Sequence, residues 1–173
     1  MHLYTLSFYL DRVHQKDFSI SYKTHTGTDS LSEPDNEMLE KAKEATQSAY
    51  APYSKFKVGV AIRTESDQII TGSNQENGSY PIGQCAERVA LYRLAHEYGR
   101  TPISAIAVVV DHAEQVTPAS PCGSCRQILF EYRNNQTSPI RILMASANGN
   151  EIWELSDVND LLPFAFNGKF LGQ

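Results

Sequence analysis

Ile103-Ser104-Ala105-Ile106-Ala107-Val108-Val109-Val110 is a nearly unbroken apolar run. A strand with one wet face alternates polar and apolar residues, whereas a continuous apolar run belongs to a strand covered on both faces. This stretch therefore predicts a central strand with a layer above it and a layer below it.

The flanking sequence supplies those layers. On the C-terminal side, Pro118–Pro121 reads as loop, a helix spans about Cys122–Tyr132, and a strand covers Ile140–Ala145. Asn148-Gly149 is a turn, and Glu151–Leu155 a further short strand. On the N-terminal side a helix runs from about Cys85 to Tyr98, stopped by Gly99, after a loop over Asn74–Gly83. Before that, Lys57–Thr64 alternates as a strand, with Gln68–Ser73 as its hairpin partner. Glu33-Pro34-Asp35 opens a helix with acids in its first turn, and Met38, Leu39, Ala42, Ala45 and Ala49 give it an apolar face as far as about Tyr50. Five strands and three helices in this order predict a three-layer α/β/α domain around a mixed five-stranded sheet.

Residues 1–33 read as an extension to a domain at 34–173. The alternation in Asp17–Lys23 suggests an edge strand, and Thr24–Ser32, rich in Thr, Ser and Gly, a loop. The tail from Leu161 to Gln173 is aromatic and reads as partly helical.

Composition narrows the function classes. Of 173 residues, 41% are hydrophobic and 20% charged, too apolar for disorder. The formal net charge is −5 and no Lys/Arg cluster is present, which disfavours a nucleic acid polymer and favours a small ligand. No apolar run reaches membrane-spanning length. Met1–Leu10 is mildly apolar but is soon interrupted by Asp11 and Arg12 and has no basic start, so no secretory signal is read and the expected compartment is the cytoplasm. Three cysteines fit a disulfide framework poorly; in a reducing compartment clustered cysteines serve metal or catalysis.

The cysteines fall in Cys85-Ala86-Glu87-Arg88 and Pro121-Cys122-Gly123-Ser124-Cys125, each at the start of an expected helix. Helix N-termini offer partial positive charge and free N–H groups, which stabilise thiolates. Two such ends converging aim three thiolates at one point, and three protein ligands on zinc leave a fourth position for water, the catalytic pattern. A redox pair or half a structural site is the competing reading of Cys-x-x-Cys. A structural site needs a fourth ligand, and none of His2, His14, His25, His96 and His112 lies at ligand spacing. Glu87, two residues after Cys85, is poorly placed as a ligand but can serve as a proton carrier for hydrolysis. Three thiolates on Zn²⁺ sum to −1, which would raise the pKa of bound water. Arg88 donating to the sulfurs would relieve that excess.

The arrangement C-A-E…P-C-x-x-C is the signature of zinc deaminases, with Cys in place of His. Beyond it the chain closely resembles the cytidine deaminase family in A-Y-A-P-Y-S-K-F-K-V-G at 49–59, N-Q-E-N at 74–77, Y-P-I-G-Q-C-A-E-R at 80–88, P-C-G-S-C-R-Q at 121–127 and L-L-P at 161–163. The resemblance implies a cytidine deaminase-like fold and zinc-dependent hydrolytic deamination of cytidine and deoxycytidine. One zinc per chain would be held by Cys85, Cys122 and Cys125, with a zinc-bound hydroxide attacking C4 and Glu87 shuttling protons. It also implies that Asn74 and Glu76 bind the ribose 3′-hydroxyl, that Phe56 walls the base and that the Ala86 backbone faces the pyrimidine edge. Tyr80 and Phe166 resemble residues that close a neighbouring subunit's site, and relatives of this short type are homotetramers. Two departures stand out: Gly78-Ser79 replaces the commoner Ala-Cys, and Phe164-Ala165-Phe166 leaves the tail aromatic ambiguous.

Two rival readings differ in class. A blasticidin-type deaminase shares the zinc motifs but differs before the first cysteine, where N-Q-E-N and Y-P-I-G favour a nucleoside. A zinc-stabilised, non-catalytic binding module predicts loss of the carboxylate, yet Glu87 is present.

Overall fold

The computed structural model describes residues 14–172. The apolar start at Met1–Leu10 lies outside them.

Among the described residues six strands form one mixed sheet in the order β1-β6-β5-β4-β2-β3: β1 (Lys23–Thr26), β2 (Lys57–Thr64), β3 (Ile69–Ser73), β4 (Ile103–Asp111), β5 (Arg141–Ser146) and β6 (Glu151–Leu155). Among the six described strands only β4 and β5 pair in parallel, joined across the helix α3 (Gly123–Asn134). Parallel neighbours need such a crossover, whereas β2–β3 and β5–β6 close with short turns.

The apolar run predicted to be central is central. Val108 sits opposite Val60 on one side and Met144 on the other. Side chains alternate between two buried faces. Val60, Ile62, Ile106, Val108, Ile142 and Met144 pack with Ala90, Leu91 and Leu94 of α2 (Ala86–Tyr98) and Leu129 of α3. Ala61, Ala105, Ala107, Val109 and Leu143 pack with Met38, Leu39 and Ala42 of α1 (Glu33–Ala45). Three layers result.

Glycines set how closely the helices approach. A Cβ on Gly59 would stand 1.9 Å from the carbonyl oxygen of Ala42 in α1, and one on Gly72 would stand 2.5 Å from the amide nitrogen of Ala90 in α2. Neither contact is possible for a larger residue without moving a helix.

Three expectations are corrected. The sheet has six strands rather than five, because β1 adds to the outer edge of β6, with Lys23 opposite Glu154 and Thr26 opposite Glu151. The edge strand expected at 17–23 is displaced to 23–26. Alternation at Phe18, Ile20 and Tyr22 mimics a strand, but those residues are exposed, and the pairing is made where polar side chains meet a buried carboxylate. Glu154 accepts from His25 Nε2 at 2.9 Å and Lys23 Nζ at 3.3 Å, with Arg141 Nη1 at 3.6 Å. Arg141 also pairs with Asp35 near the start of α1, whose N-cap is Ser32. In addition, α1 ends at Ala45 and a single 3-10 turn, Thr46–Ser48, replaces the continuation expected to about Tyr50. The tail's helical content is limited to short 3-10 turns at Val158–Leu161 and Gly168–Leu171.

Candidate active site

Cys85 and Cys122 occupy the N-cap positions of α2 and α3, with extended backbone and no side-chain capping bond. An N-cap is usually Ser, Thr, Asp or Asn, whose oxygen turns back onto the helix. Here the sulfurs turn toward one another instead. Cys85 Sγ lies 4.0 Å from Cys122 Sγ, which lies 3.6 Å from Cys125 Sγ. All three atoms fall within 4.8 Å of one another. Zn–S bonds of about 2.3 Å in a tetrahedron give S···S edges of about 3.8 Å, close to the two separations of 4.0 and 3.6 Å, so the cluster suits zinc. Among the described residues no histidine joins it. The ring of His112 packs instead beside Phe56, with centroids 5.5 Å apart.

The cluster's electrostatics follow from its neighbours. A hydrogen bond from the Cys125 thiol, opposed by burial and assisted by the Arg88 guanidinium, pulls Cys85 down to about 5. The same bond and burial push Cys125 up. Arg88 Nη2 lies 3.7 Å from Cys85 Sγ and donates to the Gly83 carbonyl at 3.3 Å. Glu87 is 5% exposed. Burial and the negative charge of Cys85 raise its pKa, while a hydrogen bond with Cys125 works against them.

Beside the sulfurs opens a cavity of about 930 Å³, walled by Phe56, Asn74, Glu76, Tyr80, Ala86, Glu87, Arg88, Cys85 and Cys122. Cys125 lies buried beneath it. The backbone at 74–76 runs beside Tyr50: Tyr50 N donates to the Asn74 carbonyl and Glu76 N to the Tyr50 carbonyl, at 3.0 and 2.8 Å. Phe166 is absent from the wall. Its carbonyl accepts from Gln127 Nε2 of α3 at 2.9 Å, which holds the tail on the outside of that helix. Phe164, in the left-handed region at φ 58°, is 99% exposed.

Several features escaped the sequence reading. Asn74 also braces the loop before β2, since its Oδ1 accepts from Val58 N at 2.8 Å and its Nδ2 donates to the Phe56 carbonyl at 2.9 Å. The Glu76 carboxylate is held by Tyr53 N, Ser54 N and the Ser54 hydroxyl. Tyr53 and Tyr80 meet edge to face at the cavity mouth, 5.9 Å between centroids. The only signal for these contacts was their shared membership of short segments at 49–59 and 74–83.

The chain is similar to known proteins. Residues 32–138 match the model of the cytidine and deoxycytidylate deaminase zinc-binding region. A cytidine deaminase of Halalkalibacterium halodurans is 40% identical over 132 residues, 76% of this chain and 93% of that protein. The crystal structure of cytidine deaminase from Burkholderia pseudomallei superposes with a TM-score of 0.66 at 39% identity, covering 76% of this chain and 98% of the other. A blasticidin-S deaminase of Bacillus cereus is 26% identical over 143 residues, 80% of this chain and 96% of that protein.

Proposed function

The chain belongs to the cytidine and deoxycytidylate deaminase zinc-binding family, and from that premise we infer that it is a zinc-dependent cytidine deaminase. It hydrolyses the exocyclic C4–N bond of cytidine and deoxycytidine, giving the uracil nucleoside and ammonia. The observation that carries this reading is the trio of sulfurs at two helix N-termini, opening on a cavity with the buried Glu87 beside them.

Cys85, Cys122 and Cys125 hold the metal, which when bound supplies an activated water as nucleophile. Arg88 offsets part of the charge that three thiolates bring. Glu87 takes a proton from the attacking water and gives it to ring N3, then takes the remaining proton from the new C4 hydroxyl and delivers it to the departing amine, so a single carboxylate serves both relays. Its burial keeps those protons from exchanging with bulk water. Phe56 walls the base, and the backbone of Ala86 faces the pyrimidine edge. Asn74 and Glu76 take the ribose 3′-hydroxyl. An anionic carboxylate accepts from a hydroxyl and repels a phosphate, which favours nucleosides over nucleotides and over polymers.

The assembly we propose is a homotetramer, in which Tyr80 and Phe166 help close a neighbour's site. Their exposure, 72% and 56%, and the bare Phe164 leave apolar surface for a second chain to cover. A reducing compartment such as the cytoplasm suits three free thiols, and the reaction suits pyrimidine salvage.

Metal analysis together with a deamination panel tests the reading. About one zinc per chain is expected, with absorbance loss on cytidine and deoxycytidine far exceeding that on cytosine, CMP or blasticidin S. Zinc well below half an equivalent in untreated protein, or equal rates on cytosine and cytidine, would overturn it. Light scattering at four times the 19.3 kDa chain mass supports the tetramer, and a fully active monomer excludes it.

A further inference from the structure

The loop at 53–56 wraps one carboxylate. Glu76 Oε2 accepts from Tyr53 N at 3.0 Å and Ser54 N at 3.3 Å, and Oε1 accepts from the Ser54 hydroxyl. An ionised carboxylate offers about four lone-pair sites, so three are taken by the protein and one remains. The hydroxyl has a single proton, given to Glu76. Its oxygen is then left to accept, and it accepts from Phe56 N at 3.0 Å. Phe56 is thus held at both ends of its backbone, its N–H by Ser54 and its carbonyl by Asn74 Nδ2.

The geometry has a cost that the contacts must offset. Lys55, between Ser54 and Phe56, sits at φ 59°. A non-glycine residue in the left-handed region is disfavoured, and such strain persists where surrounding contacts over-determine it. Here the left-handed residue returns the chain so that Phe56 N reaches the Ser54 oxygen.

We propose that Ser54 is the positioning residue that couples sugar recognition to base placement. Its hydroxyl fixes Glu76 in one orientation with one acceptor site left for the nucleoside. Through Phe56 N it fixes the ring that walls the base. This rests on the reading above, that Glu76 takes the sugar 3′-hydroxyl and Phe56 faces the base. Ser54 lies in an exposed loop, outside both core clusters, so its replacement is expected to leave the fold intact.

The test is steady-state kinetics of the zinc-loaded full chain on 2′-deoxycytidine and 2′,3′-dideoxycytidine, which differ only in the 3′-hydroxyl. Wild type is expected to prefer the former in kcat/KM by about tenfold or more, the worth of one charged hydrogen bond. Ser54→Ala should narrow that preference at least about fivefold, with loss in kcat as well as KM, while zinc content and Tm hold and Ser54→Thr keeps the preference. Should Ser54→Ala fold poorly, Ser54→Thr and Ser54→Val, alike in shape, repeat the comparison with and without a hydroxyl. An equal loss on both substrates, an unchanged preference in Ser54→Ala, or its loss in Ser54→Thr overturns the proposal. If Glu76→Ala abolishes the preference in the same assay, the sugar reading survives that failure. No preference in wild type overturns both.

Discussion

On the proposed mechanism Glu87 is the residue on which turnover should depend most sharply, because among the described residues no other carboxyl group lies on the wall of the cavity beside the sulfurs except Glu76, which the 53–54 loop occupies. Glu87→Gln is nearly isosteric and cannot carry protons. It is expected to keep zinc and fold while turnover falls by about 10²- to 10⁴-fold, the usual worth of a general acid–base group. Stopped assays with metal analysis on one sample check both halves, and near-normal rates would remove Glu87 from the chemistry. The Cys122–Cys125 half of the sulfur cluster was legible in the sequence because its logic is local, and Cys85 was joined to it through the C-A-E…P-C-x-x-C arrangement. Three-residue spacing, a preceding proline and an expected helix start each appear within five residues at 121–125. The Ser54–Glu76 contact was not legible, because it depends on a chain reversal that lays 53–58 beside 74–76, and separation along the chain carries no record of it.

Two glycines make the elements separable. Gly59 lies against α1 and Gly72 against α2, each with a helix backbone where its Cβ would stand. Gly59→Ala and Gly72→Ala should both destabilise, by about 1–3 kcal/mol or more, as overpacking against unyielding backbone does. Their effects on the site should differ. The Gly72 Cβ would also stand 2.9 Å from the Ala86 carbonyl oxygen, between Cys85 and Glu87, so Gly72→Ala shifts those two side chains together. At a temperature where both variants are folded, Gly72→Ala should lose zinc and kcat while Gly59→Ala keeps them. Equal zinc retention and kcat in the two would sink the distinction. Element boundaries were read well where periodicity and turn residues agree, as at β2, β6 and α2 with its stop at Gly99. They failed at the end of α1, where the helix tightens to a 3-10 turn before Pro52. They failed again at β1, where a polar four-residue strand is chosen by its partner rather than by its own pattern.

Across the whole molecule, Glu154 ties β1, β6 and β5 into one polar cluster. Burial opposes its ionisation, but His25, Lys23 and Arg141 together outweigh it and hold its pKa below the ordinary 4.5. A carboxyl group with a depressed folded pKa adds stability that is present above its unfolded pKa and lost as pH falls through the folded one. Glu154→Gln should therefore cost about 1–3 kcal/mol near neutrality. The gap from wild type in urea unfolding should close as pH drops below about 4.5; a gap independent of pH would show that charge plays no part. The strand that this cluster anchors has a wider consequence. The family match begins only at residue 32, so the chain supplies β1 from outside the shared region, and β1 is what stands between β6 and solvent. Cut back at its N-terminal side to residue 32, the protein would present Glu151–Leu155 as a bare row of amide and carbonyl groups flanking Ile152 and Trp153. Such an edge is adhesive to any extended chain, its own copies first. The truncated form is then expected to turn turbid at concentrations where the full chain stays clear, which would make β1 a guard on solubility, a service quite separate from catalysis.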